Sequence, residues 1–180
     1  MENVRIQDGI GLYYLTFTVT DWLPIFIATE PCLIVTDSLN HCHHNRFLRV
    51  NAFVIMPTHL HLILFDADFN NQRLQQTVND MRRHMSRQLL AYSDRQLPKV
   101  YQQGFQSHQR QDRKRQFWQP SRHPVGLVSQ RMWQTKLDYL HDNPRRKGLV
   151  REGHDWRFSS AGYWLGVVAE CGVVLSGVRF

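Results

Sequence analysis

Within the 180-residue chain, the stretch 53–65, FVIMPTHLHLILF, narrows the fold more than any other. β-Branched and aromatic residues crowd both sides of Met56-Pro57-Thr58. Because proline cannot donate to a ladder, the pattern predicts two strands hinged at Pro57. Side chains alternate across a strand, so His59, His61, Ile63 and Phe65 share one face and Leu60, Leu62 and Leu64 the other. The leucine face is core, and the histidine face looks into something less apolar. Two imidazoles on one face lie about 6.5 Å apart at their Cα atoms, close enough to share a metal ion. A surface or cross-strand pair without metal is the commoner use of such a spacing.

Upstream, residues 11–20, GLYYLTFTVT, alternate as a strand, with Tyr14, Thr16 and Thr18 opposed to Leu15, Phe17 and Val19. Residues 21–24, DWLP, break it. The spacing of Cys32, Leu33, Val35 or Thr36 and Leu39 predicts a helix over 29–45, with Pro31 in its first turn. His41, Cys42, His43 and His44 follow one another near its end, but consecutive helical residues fan out by about 100° each and do not converge on one ion. Residues 47–55 read as the strand that feeds the hairpin. Leu74, Val78, Met81, Met85, Leu89 and Leu90 then fall at helical spacing over 70–92, with Arg73, Arg82, Arg83 and Arg87 on other faces.

From about 93 to 124 regular patterning fails. Arg110, Arg113, Lys114, Arg115 and Arg122 alternate with Tyr101, Phe105, Phe117 and Trp118. Cations interleaved with rings suit a single-strand binding surface; an ordinary loop whose aromatics pin it to the core would have the same composition. The step 117–119 reads as a short edge strand. A last helix spans 128–143, capped by Ser129, with Met132 or Trp133, Leu137 and Leu140 as its buried stripe and Asn143-Pro144 as its end. Tyr139 and Asn143 are four apart and share a face. Arg145, Arg146, Lys147 and Arg151 follow. The apolar tail, 165–180, suits an added strand, a dimer contact or a cap.

One domain over 1–180 is expected, with a core of about 10–164, a basic insert at about 93–124 and the tail. Lys plus Arg number 22 against 15 Asp plus Glu, a net +7 that favours a polyanionic partner. Three cysteines without C-x-x-C spacing argue against a disulfide framework and fit a reducing compartment. Without a leader-like start or an apolar run of about 20 residues, a cytoplasmic protein with no membrane contact is expected.

Three motifs carry a family resemblance. MPTHLHLILF resembles the MPNHVHLL-type signature of the single-strand DNA transposases of the HUH endonuclease superfamily, and of the REP-associated tyrosine transposases in particular. Residues 138–150, DYLHDNPRRKGLV, are similar to that family's YIHNNPVRAGLV segment, and 155–163, DWRFSSAGY, to its W-x-x-SS-x-x-x-Y tail. The insert looks longer than the family's. The order of elements suits an α+β, ferredoxin-like antiparallel sheet with helices packed on one face, and the resemblance implies the same HUH core.

The resemblance also implies a catalytic tyrosine at Tyr139 and a metal held by His59, His61 and Asn143. Two imidazoles and an amide leave a cation its double charge, suited to polarising a phosphate. Nitrogen ligands by themselves lean toward Mn or Zn; the resemblance implies Mg2+ or Mn2+. The activity implied is single-strand DNA cleavage and strand transfer through a 5′-phosphotyrosine, on hairpin-forming DNA at the nucleoid. The expected nucleic-acid contacts are Arg82, Arg83, Arg87, Arg110, Arg113, Lys114, Arg115, Phe117, Trp118, Arg122, Arg145 and Arg146. A homodimer is compatible with this reading. A degenerate relative that only binds structured nucleic acid, and a zinc site in a small-molecule enzyme, are the competing readings.

Overall fold

The computed structural model describes residues 4–6, 9–106, 115–120 and 124–178. Strand β1 (Tyr13–Thr18) is followed by a short 3-10 turn and helix α1 (Thr29–Asn45), then the hairpin β2 (Leu48–Met56) and β3 (His59–Asp66). Helices α2 (Asn71–Gln96) and α3 (Lys99–Gln106), the short strand β4 (Val125–Gly126), α4 (Gln130–Arg146) and the single turn α5 (Ala161–Trp164) complete the order. The strands pair antiparallel in the order β2-β3-β1-β4. That is the split-βαβ arrangement of ferredoxin-like domains, an α+β fold.

The sheet has two apolar faces, assigned residue by residue by strand alternation. Leu15, Phe17, Leu60, Leu62 and Leu64 pack with Val35 and Leu39 of α1 and Leu74, Val78, Met81 and Met85 of α2. The opposite face holds Tyr14, Val54, Met56, Ile63 and Phe65 under Leu140 of α4. One-sided helix packing therefore describes α1 and α2, while α4 covers the other face, the one that carries the histidines.

Strand β2 serves both faces through a bulge. Its partners step from Val50↔Leu64 to Ala52↔Ile63, leaving Asn51 as the extra residue. Asn51 is buried: its Oδ1 accepts from Trp133 Nε1 at 2.8 Å, its Nδ2 donates to Ser176 O at 3.0 Å, and its carbonyl accepts from Trp164 Nε1 at 2.9 Å. The outer edge of β2 is covered in two places, by 158–160 running antiparallel to it and by Leu175 running parallel, which removes an exposed sheet edge. The tail thus acts as an edge cap.

Four elements differ from the sequence pattern. Helix α2 runs one turn beyond 92, and α3 forms where patterning fails. Strand β4, two residues long, is too short to leave a periodic signal. Helix α4 passes through Pro144 to Arg146; the proline sits in the last turn, where its missing N–H forgoes only the bond to the Leu140 carbonyl. The terminator is Gly148, at φ 69, in the left-handed conformation that glycine adopts without strain. Trp118 bridges Val19 at the end of β1, in keeping with an edge strand at 117–119. No helix among the described residues is long and apolar enough to cross a membrane.

Candidate active site

Strand β3 lies between β1 and β2, with His61 opposite Thr16 and Val54, and His59 opposite Thr18 and Met56. Both rings emerge beneath α4, with centroids 4.8 Å apart and planes at 72°. Thr16 Oγ1 lies 2.8 Å from His61 Nδ1, and Thr58 Oγ1 lies 3.0 Å from His59 Nδ1. Hydroxyls on both Nδ1 atoms fix the ring orientations and leave each Nε2 as the nitrogen available to a ligand. Burial pushes His61 down to about 3, aided by the charges of His59 and Lys136; burial, with Lys147, also lowers His59. Both imidazoles are therefore neutral near pH 7, the form that binds metal.

Helix α4 is capped locally and held over this face by the side chains of Trp133 and His141. Ser129 accepts from the Met132 amide to cap it, Trp133 reaches Asn51, and His141 Nε2 shares a 2.8 Å hydrogen bond with Ser160 Oγ. Residues 136, 139, 143 and 147 fall at spacings of three and four, on one face. Tyr139 stands edge-on to His61 at 5.8 Å between centroids, and Lys147 lies within electrostatic reach of His59. Asn143 lies between them in this row; it is 4% exposed, and its Nδ2 has no hydrogen-bond partner among the described residues. Tyr139 is 41% exposed, so its phenol is open to a ligand.

A metal would fit here. No three His, Cys, Asp or Glu residues among those described are grouped to hold one, so the two imidazoles need the Asn143 amide as a third ligand. A buried amide end with no partner is a group that a cation could satisfy, since the oxygen and nitrogen of an amide exchange by a simple flip.

The other expected contacts are dispersed. Arg146 lies with its guanidinium carbon 5.1 Å from the Tyr139 ring centroid, beside the site. Arg145 turns to Asp142, and Arg115 makes two 2.8 Å bonds to Asp94. Arg83, paired with Asp80, and Arg87 line a groove between α1 and α2, on the far side of the sheet from Tyr139. Arg82 is not a surface residue: it is 1% exposed, donates to Gln119 O at 2.6 Å and lies over the Phe17 ring. Phe117 and Trp118 are likewise core, packed against each other and against Phe105, Phe17 and Phe26. Rings sealed this way cannot stack on bases, so of the two readings of the insert, pinning to the core describes these two residues. Arg110, Arg113, Lys114 and Arg122 lie outside the described residues. The cluster at 41–44 also disperses: Cys42 is buried, His41 contacts Asn45, and His43 and His44 meet edge to face.

Sequence reasoning overlooked Tyr14, Thr16 and Lys136. Tyr14 stacks on His61 at 5.3 Å and 24°. Thr16, a polar residue on an inward strand position, was the available signal, as was Lys136, three residues before Tyr139.

Fold and site together define an α+β domain in which a sheet-borne histidine pair faces a helix-borne tyrosine and asparagine. No family model matches the sequence, and no curated protein does. Among solved structures, the chain is similar to a REP-associated tyrosine transposase bound to a REP hairpin, with a TM-score of 0.66 and 16% identity over 100% of this chain and 95% of that one. At that identity the likeness is one of fold.

Proposed function

We propose that the protein is an HUH-type tyrosine transposase relative that cleaves and rejoins single-stranded, hairpin-forming DNA at the nucleoid. The observation that carries this reading is the half-exposed Tyr139 against His61, with the buried Asn143, whose Nδ2 has no hydrogen-bond partner among the described residues, one turn along the same helix face. The resemblance in three sequence motifs and the shared fold add weight.

His59, His61 and Asn143 would hold Mg2+ or Mn2+, which would supply Lewis-acid stabilisation of phosphate charge. Tyr139 Oη attacks the scissile phosphorus: the O–P bond forms, the phenol proton leaves to solvent, the P–O3′ bond breaks and the 3′ oxygen is protonated. The DNA 5′ end stays on Tyr139, and the reverse attack by a 3′ hydroxyl rejoins strands without ATP. His61 sets the position of the phenol, which matters because phosphoryl transfer is mostly alignment and charge. Tyr139 stands against His61 of its own chain, which supports attack within a monomer.

A labelled hairpin oligonucleotide with single-stranded flanks, incubated with Mn2+ or Mg2+, should form a denaturant-resistant adduct. The adduct should vanish in Tyr139→Phe, in His61→Ala and in chelator. Undiminished adduct in Tyr139→Phe would remove this residue from the chemistry. Hairpin binding without adduct by the unaltered protein under every metal tried would instead favour a degenerate binder.

A further inference from the structure

The site contains a cation that the reaction above does not use. Lys136 lies three residues before Tyr139 on the same face of α4, and its Nζ is 5.0 Å from the centroid of the Tyr14 ring. Tyr14 is nearly fully buried and stacks on His61, so the ammonium is held against the sheet beside the histidine pair. Lys136 is itself half-buried and makes no ion pair among the described residues; the carboxylates of α4, Asp138 and Asp142, bond to Gln134 and Arg145. Arg146 lies with its guanidinium carbon 5.1 Å from the Tyr139 ring centroid. A partly desolvated ammonium over a ring face, with no carboxylate paired to it among the described residues, gains from an incoming anion.

We infer that Lys136, steered by the Tyr14 ring, binds a non-bridging oxygen of the phosphate that Tyr139 attacks. This rests on the single-strand reading above and adds the residue that recognises the reacting phosphate. Lys136 is half-buried against the Tyr14 ring, whereas Arg146 is exposed.

Binding reports the contact without needing catalysis. In a Tyr139→Phe background, a hairpin oligonucleotide with single-stranded flanks is made with one neutral methylphosphonate at each linkage in turn, and affinity is measured with Lys136, Lys136→Ala and Lys136→Arg. With Lys136 present, neutralising a single linkage should weaken binding about tenfold, a charge-assisted contact's worth. After Lys136→Ala that linkage should lose its sensitivity and the salt slope should fall by about 0.7; Lys136→Arg should restore both. The same penalty profile with and without Lys136, or no binding at all, would overturn the inference. Separately, the adduct of the protein with Tyr139 intact is mapped. A Lys136-sensed linkage with no adduct anywhere leaves the contact standing and removes the reaction. An adduct at a linkage that Lys136 does not sense removes the contact and leaves the reaction.

Discussion

Replacing Ser160 with alanine deletes one oxygen from a fully buried position where the edge of β2, the strap 158–160 that covers it, and α4 meet. Ser160 Oγ accepts from the Phe53 amide at 2.9 Å, contacts the Phe53 carbonyl at 3.2 Å and shares a 2.8 Å bond with His141 Nε2. The Phe53 carbonyl keeps a partner in Ser160 N at 2.9 Å. The Phe53 N–H and the His141 ring nitrogen do not; Phe53 is fully buried and His141 half-buried. Each stranded group costs about 1 to 3 kcal/mol, so Ser160→Ala should lose about 2 to 6 kcal/mol. That is a large share of the roughly 5 to 15 kcal/mol available to a domain. The urea midpoint should fall while its m-value stays fixed, because the mutation removes bonds without changing the surface exposed on unfolding. Because His141 is one of the two side chains described above as holding α4, adduct formation through Tyr139 should slow as well. A stability loss below about 0.5 kcal/mol would show that the strap does not anchor the helix, and the account of how α4 is positioned would fail.

Two further outcomes follow from buried charges. Burial alone would raise the Asp66 carboxyl, but hydrogen bonds from Arg73 and from the Asp68 and Asn70 amides, with the Arg73 charge, hold it below the ordinary range. A lowered folded value means stability that is present above about pH 3.9 and lost as pH falls through the folded value. Asp66→Asn should therefore cost about 2 kcal/mol at neutral pH, and this gap should close below about pH 4 in acid unfolding; a gap independent of pH would refute the linkage. Arg82→Met should lower stability by about 1 to 3 kcal/mol through the lost bond to Gln119 O and leave the salt slope of DNA binding unchanged. A shallower slope would return Arg82 to the nucleic-acid surface.

What the sequence disclosed, and what it hid, divides along physical lines. Helix α1 spans the predicted 29–45, and the Pro57 hinge and the Ser129 cap form as expected, because each depends on local chemistry. The four residues His59, His61, Tyr139 and Asn143 could be named from motifs, and period-two and period-four spacing put each pair on one face. Which side of the sheet α4 takes is a matter of tertiary packing, invisible to any window of sequence. The same holds for Arg82, Phe117 and Trp118: composition distinguishes a ring from a cation, but not a ring facing bases from one facing Phe17. Strand β4 exists only because Tyr13 and Tyr14 offer it a ladder.

The bulge at Asn51 links these two levels. Without an extra residue, strict alternation would send Val50 and Phe53 to opposite faces; with it, both feed the core beneath α1 and α2 while Val54 and Met56 face α4. The residue released from the ladder is the one whose amide holds Trp133 of α4 and the Ser176 carbonyl of the tail. A single insertion thus keeps one face apolar enough to fold on and ties to the other the helix that carries Tyr139. An apolar residue at 51 could occupy the bulge, but it would remove the bond from the Trp133 indole and the bond to the Ser176 carbonyl. The sheet would then keep its hydrophobic support and hold α4 through the His141–Ser160 bond and Leu140 alone, so the position requires a polar side chain where packing by itself would be satisfied by valine.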